Sequence, residues 1–446
     1  MSTKSSSRRD FVKTLAAGTA GVALSTPAAS YARILGANER IGIGMIGMGR
    51  MARGHLNALL DQPDAQVLAL CDVYEPNLRW AASRATEAET YTDFRAVLDR
   101  PDVDAVFVAT PDHWHALPTV MACDAGKDVY VEKPSSVYIA EGRKMVEAAH
   151  RNDRVVQVGT QQRSGEHFQY AVELVRSGQL GPISFVRTWN YGNAYPDGIG
   201  HPPDSDPPPG LDWDRWLGPA PERPFNINRF GVLHDEDLNY TRWASFRWFW
   251  EYAGGMMTDW GVHLIDIVQL AMDVDYPEAV ATMGGKFYLN DNRETPDTLQ
   301  ATFQYPGFVC TYENRQCNGR PLEGNGYGIM FHGTAGTLFI DRGGFEVMPE
   351  EDSDLMPMQA QRVGNSHRKH VQNFLECVKS RRQPTSDIEI GHRSSSTAIL
   401  GNIAYRTGRR ISWDGENEEI VDDPEAGKLL AYQYRAPWDR ILDFGF

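Results

Sequence analysis

The stretch IGIGMIGMGRMA at 41–52 constrains this chain more than any other. It holds two overlapping glycine fingerprints. Gly42, Gly44 and Gly47 fit G-x-G-x-x-G, while Gly47, Gly49 and Ala52 fit G-x-G-x-x-A. Only one can be a phosphate-binding turn, because the first glycine must directly follow a buried strand. The earlier register has only polar residues and Ile41 in front of it. The later one follows Ile41–Ile46, an apolar run suited to a strand covered on both faces. Gly42 and Gly44 then lie inside the strand, where a missing side chain admits a closely packed helix. Gly47 makes the turn, Gly49 lets the backbone approach a pyrophosphate and Ala52 allows helix–strand contact. The helix predicted from Arg50 to Leu60 offers free N-terminal N–H groups to the phosphates.

The rest of a dinucleotide unit follows. AQVLALCD reads as a second apolar strand ending in Asp72, 25 residues past Gly47. A carboxylate there holds a ribose diol and repels a 2′-phosphate, which favours NAD over NADP. DAVFVAT then ends at Thr110-Pro111, HALPTVMACDAG reads as a helix with a glycine stop, and DVYVEKP is another strand. This alternation predicts an α/β Rossmann domain with a doubly wound parallel sheet. Its ligands sit at the carboxyl ends of the strands. The expected cofactor contacts are therefore Gly47, Met48, Gly49, Arg50, Met51, Asp72, Thr110, Pro111, His115, Glu132 and Lys133.

The net charge of -15 argues against nucleic acid or an anionic membrane as partner. No run approaches the roughly eighteen apolar residues of a membrane span. Five cysteines show no metal-ligand spacing; buried free thiols are the plain reading, with a Cys310–Cys317 bridge left open. The N-terminus is more telling. In SSSRRDFVKTLAAGTAGVALSTPAASYA, Arg8 and Arg9 precede Phe11 and Lys13, then a weakly apolar stretch and small residues. Residues 1–32 thus resemble a twin-arginine export signal, cleaved after Ala29 or Ala32. Export implies a periplasmic protein that carries its cofactor inside the fold.

The nucleotide unit, VEKP at 131–134 and TDWGVHLID at 258–266 together resemble the Gfo/Idh/MocA oxidoreductases, relatives of glucose–fructose oxidoreductase and inositol dehydrogenase. DWDRWLGPAPERPFN (212–226) and HVQNFLECVKSRRQPTSDIEIGHR (370–393) are similar to an exported bacterial branch. The resemblance implies an NAD-binding domain at 38–158 and an α+β domain at 159–415 with a large, mostly antiparallel open sheet. ISFVRTWN, AVATMGGKFY, TLQATFQY, FVCTYENR, YGIMFHG and GTLFID fit its strands. The family's sheet commonly forms a subunit interface, so a homodimer or homotetramer is expected. A tail at 416–446 is acidic, then aromatic; its end is expected to dock on the fold.

The resemblance also implies Lys133, Asp259 and His263 as catalytic residues. Thr258 suits a helix N-cap, and Asp259 and His263, four apart, share one helical face. Asp259 then orients the imidazole or the substrate, and His263 accepts the hydroxyl proton. No metal is expected, although His113, His115 or His201 could join this pair; the plain reading of His113 and His115 is that they line the nicotinamide side of the crevice. Seven of the eleven tryptophans (Trp189, Trp213, Trp216, Trp243, Trp248, Trp250, Trp260) lie between 189 and 260. Most suit core packing; one or two, with Arg242 or Arg247, suit a sugar. The expected function is oxidation of a sugar or glycoside hydroxyl with tightly held NAD. Two alternatives remain: a redox-neutral glycosidase or lyase working through a transient keto-sugar, with Tyr191, Tyr195 or Tyr252 as extra acid or base, and a non-catalytic sugar-binding protein.

Overall fold

A computed structural model describes residues 40–242 and 245–442. The export signal predicted at 1–32 and Trp243 lie outside the described residues. The first strand, β1 (Ile41–Ile46), is buried along its whole length. A side chain at Gly42 would run into the Asp102 carbonyl, and one at Gly44 into Val97. The glycines inside the strand therefore serve close packing, and the later register is the phosphate-loop register.

Around β1 lie β2 (Ala65–Cys71), β3 (Glu89–Tyr91), β4 (Ala105–Val108), β5 (Asp128–Val131) and β6 (Val156–Val158). They form a six-stranded sheet in the order β3-β2-β1-β4-β5-β6. Every pairing is parallel. Apolar layers cover both faces, which is why these strands read as unbroken apolar runs.

The chain then builds a ten-stranded sheet. Its first strand is β7 (Ile183–Tyr191); a small hairpin of β8 (Leu233–His234) and β9 (Tyr240–Arg242) stands apart. The sheet continues with β10 (Ala279–Gly285), β11 (Thr298–Tyr305), β12 (Phe308–Arg315), β13 (Tyr327–Gly333), β14 (Gly336–Ile340), β15 (Gly344–Pro349), β16 (Met358–Gln361), β17 (Ile411–Asp414) and β18 (Glu419–Ile420). The order is β16-β15-β14-β13-β7-β12-β11-β10-β17-β18. Only β7 with β12 is parallel. All six segments expected as strands are strands. The helices Glu166–Arg176, Val262–Met272 and Ile388–Thr407 cover one face and share its apolar core.

Two returns of the chain join the layers. The helix Ser366–Ser380 packs Val371, Phe374, Leu375 and Cys377 against the first sheet. The tail docks there too: Tyr434, Trp438 and Leu442 enter the same sheet's other apolar layer. The Tyr434 hydroxyl donates to Glu141 (2.6 Å). All five cysteines are free, so the Cys310–Cys317 bridge is not formed. No described helix is long and apolar enough to cross a membrane.

Candidate active site

A cleft of about 700 Å³ opens along the carboxyl ends of the six strands. At one end is the glycine turn. Gly47 has φ +84°, and its N–H donates to the Cys71 carbonyl (2.8 Å). A Cβ there would lie 2.8 Å from the Ala109 carbonyl oxygen and the Thr110 nitrogen. Gly49 differs: a Cβ on it would meet nothing within 4 Å, because it borders the cleft. The first glycine is thus required by the protein's own backbone, and the second leaves room for a ligand. Arg50 opens the helix Arg50–Leu60, so its N-terminus faces that room.

Asp72 lies at the end of β2 and lines the cleft. Its carboxylate accepts from the N–H groups of Met48 (2.7 Å) and Tyr74 (2.8 Å) and from Asn77 Nδ2 (3.0 Å). Burial pushes its pKa up, against those hydrogen bonds. Met48 itself does not reach the cleft. Its amide is committed to Asp72 and its side chain is in the core. Of the residues expected at the cofactor, Gly47, Gly49, Arg50, Met51, Thr110, Pro111, His115, Glu132 and Lys133 line the cleft. Gly49, the helix N-terminus and Asp72 together fit a dinucleotide, with open space where its pyrophosphate belongs.

Several of these side chains are braced rather than free. His115 spans the carbonyls of Pro134 (Nδ1, 2.6 Å) and Thr110 (Nε2, 3.0 Å), and burial lowers its pKa. Glu132 is held by a buried chain: His367 Nε2 faces His55 Nδ1 (2.9 Å), and His55 Nε2 faces Glu132 Oε1 (2.9 Å). Gln161 also donates to Glu132 (2.8 Å). Burial alone would raise the Glu132 carboxyl; the His55 contact, with Lys133 and His367, holds it below its usual range.

At the other end, Lys133 Nζ donates to the backbone carbonyl (2.8 Å) and Oδ1 (2.9 Å) of Asp259. Arg247 lies on the same carboxylate, with Nε 3.3 Å from Oδ2. Burial opposes ionisation of Asp259, but Arg247 and Lys133 overcome it and hold the group well below the usual carboxylate range. His263 lines the cleft, and its Nδ1 is buried without a hydrogen-bond partner. Burial, then the charges of Lys133 and Arg342, keep its imidazole neutral far below the ordinary histidine range. Of the three residues implied as catalytic, Lys133 and Asp259 are in contact and His263 lines the same cleft.

The local structure under them differs from expectation. Thr258 is not an N-cap: Met256 and Gly261 are already helical, and Met257–Gly261 is a single π-helical turn leading into Val262–Met272. Such turns recur at functional sites because they re-aim side chains. His113 also departs from the crevice. It is buried against Trp216, whose carbonyl it meets through Nε2 (3.0 Å), and burial lowers its pKa to about 3. His201 is exposed, beside Asn290. Tyr191, Tyr195 and Tyr252 do not line the cleft. Tyr191 donates to Glu313, Tyr195 is exposed, and Tyr252 packs on Trp216. Of the described tryptophans in the 189–260 group, Trp216 and Trp260 reach the cleft; Trp189 is wholly buried under the large sheet. Arg247 reaches it and Arg242 does not.

Sequence reasoning missed Asp112, Gln162 and Arg342. Asp112 follows Pro111 and lines the cleft. Burial and, against the opposing Lys133 charge, the nearby Asp259 raise its pKa to about 7. Its signal was present in TPDHWH, beside the histidines that drew attention. Gln162 and Arg342 had none, since only folding brings them to His263.

Comparison with known proteins agrees with the two-domain fold. Residues 41–160 match the oxidoreductase family model GFO_IDH_MocA, NAD-binding Rossmann fold, and residues 227–413 match its C-terminal alpha/beta domain. The chain belongs to the Gfo/Idh/MocA family of oxidoreductases, and its cofactor is NAD. It is 23% identical to myo-inositol 2-dehydrogenase of Thermotoga maritima over 82% of this chain and 95% of that protein. It is 31% identical to the uncharacterized oxidoreductase YrbE of Bacillus subtilis over 32% of this chain and 42% of that one. Against the latter the chain thus spans under half the relative's length. A levoglucosan dehydrogenase, solved with NADH and levoglucosan, shares the fold at TM-score 0.64 and 17% identity, over 84% of this chain and 99% of that one.

Proposed function

We propose that the chain oxidises a hydroxyl of a sugar or glycoside. The observation that carries this is the convergence of Lys133, Asp259 and His263 at the end of the cleft that starts at the glycine turn. Bound NAD supplies a hydride acceptor. Lys133, fixed by Asp259, holds the substrate hydroxyl, and neutral His263 takes its proton. Arg247 keeps Asp259 ionised, so Lys133 stays in place. Trp260 offers a flat face to sugar C–H groups. Asp72 would hold the adenosine ribose, and Asp72→Ala would then weaken NAD more than NADP.

The reading extends to export by the twin-arginine route, supported by the Arg8-Arg9 signal, and to a cofactor that stays bound. It extends also to a homo-oligomer, supported by the exposed Met283 (83%), Phe287 (62%) and Tyr288 (73%) on and after β10. Redox-neutral cleavage is the second reading, favoured by Asp112. A carboxyl that is half-protonated near neutrality can donate a proton to a leaving group. A Shewanella baltica protein named as glycosyl hydrolase family 109 is 26% identical over 40% of this chain and 44% of that one.

The deciding experiment is to purify and dialyse the protein, denature it and quantify released nucleotide, before and after exposure to free sugars and glycosides. Near-stoichiometric NAD that becomes NADH with one sugar is the expected result. Nucleotide that no sugar reduces, with no glycoside cleaved, would refute the catalytic reading.

A further inference from the structure

Arg342 sits in the turn between β14 and β15 and lines the cleft beside His263. Its Nε donates to Gln162 Oε1 (3.1 Å), and Gln162 Nε2 in turn donates to the His263 carbonyl (3.2 Å). The guanidinium lies over the Trp260 ring, 4.7 Å from its centroid. These contacts aim it, but none neutralises it. Among the described residues it makes no ion pair with a carboxylate. Of the site's acids, Asp259 is taken by Lys133 and Arg247. Glu132 is taken by His55. Arg362, on the same wall, also makes no ion pair among the described residues.

An arginine stays charged in any protein environment. Holding it half-buried without a counter-charge is costly, and an aromatic face offsets only part of that cost. The remainder is recovered when a ligand brings an anion. Four cations (Lys133, Arg247, Arg342, Arg362) thus line the cleft with two firmly ionised carboxylates, Asp259 and Glu132, both already engaged by other partners, in a protein whose net charge is -15. A positive pocket in an acidic protein draws anions to that one place.

We propose that the substrate is an anionic sugar, and that Arg342, oriented by Gln162 and Trp260, holds its carboxylate or phosphate group while Lys133 and His263 engage the hydroxyl. The proposal rests on the sugar-oxidation reading for its hydroxyl but on Arg342 for its charge, so the two fail separately. A planar guanidinium suits either oxyanion.

The test is binding to the NAD-loaded protein, followed by calorimetry, with matched probes: D-glucuronate, D-glucose 6-phosphate and D-glucose, then D-galacturonate against D-galactose. NADH formation is recorded in parallel. At least one acid is expected to bind about tenfold or more tighter than its neutral partner, as a charge-assisted contact provides. That preference is expected to shrink to within about twofold in Arg342→Gln, with retained bound NAD showing that the variant is folded. Whether uronate or phosphate benefits identifies the oxyanion. Equal or weaker binding of every acid overturns the proposal, even if a neutral sugar is oxidised. An acid preference that Arg342→Gln leaves untouched overturns it as well. An Arg342-dependent acid preference without any NADH upholds it and sinks the oxidation reading instead.

Discussion

The two ends of the cleft are built in opposite ways. The nucleotide end is made of backbone: a strand, a glycine turn and a helix N-terminus, contiguous from Ile41 to Leu60. Asp72 joins it from the next strand. The reacting end is made of side chains from distant places: Lys133 after β5, Arg247, Asp259 and His263 near one helix, Arg342 from a hairpin of the large sheet. Backbone geometry tolerates almost any side chain outside its glycines, so a short motif suffices. Charges in a half-buried site need partners fixed to within a fraction of an ångström, and only a completed fold supplies them.

The sharpest way to break this comparison is to remove the base. His263→Ala should lower kcat by about a thousandfold, in the range typical of general bases, with NAD still bound. Loss of the cofactor in that variant would show that the two ends are not separable. Next come the glycines. Gly47→Ala forces a Cβ into the Ala109–Thr110 backbone at φ +84°, and should destabilise the fold by about 1–3 kcal/mol. Gly49→Ala should weaken NAD and leave the melting temperature of the nucleotide-free protein unchanged, since its Cβ enters only open cleft. Equal melting temperatures for both variants would contradict the structural distinction drawn between them.

A subtler effect concerns Asp112. Its carboxyl is protonated below about 7 and ionised above. An anion beside Lys133 and Asp259 makes proton uptake from the substrate easier, so oxidation should rise as the pH passes upward through about 7. Asp112→Asn should remove that step from the kcat/KM profile; an unchanged profile would assign it elsewhere. The smallest effect lies in stability. Burial raises Glu141 to about 7. The folded state therefore holds its proton where the unfolded chain has released it, between about 4.5 and 7. Stability from this group is full below the unfolded value and declines as the pH rises toward 7. Denaturant midpoints of wild type and Glu141→Gln, compared from pH 5 to pH 8, measure it: the wild type should lose ground to the variant as the pH rises.

Much of the fold was legible in the sequence alone. The parallel sheet, its register at the glycines and six strands of the second sheet follow from apolar periodicity and turn residues, which are local. What misled was also local in origin. Thr258 looked like a cap because the sequence before it carries no helical signal, yet tertiary packing extends the helix backwards through a π turn. His113 looked like a crevice residue because its neighbours are; the backbone turn at Asp112–Trp114 sends it into a tryptophan cluster instead.

By itself, the sequence determined the dinucleotide fold and the position of the phosphate turn, because both are carried by spacing within one short segment; Lys133, Asp259 and His263 were implied by the family resemblance of VEKP and TDWGVHLID. The tertiary structure alone decided that Arg247 reinforces Lys133 on Asp259, that Asp112 titrates near neutrality, and that Arg342 faces the substrate end without an anion. Charge balance is a property of what surrounds a group in space, and the order of residues along the chain carries no mark of it.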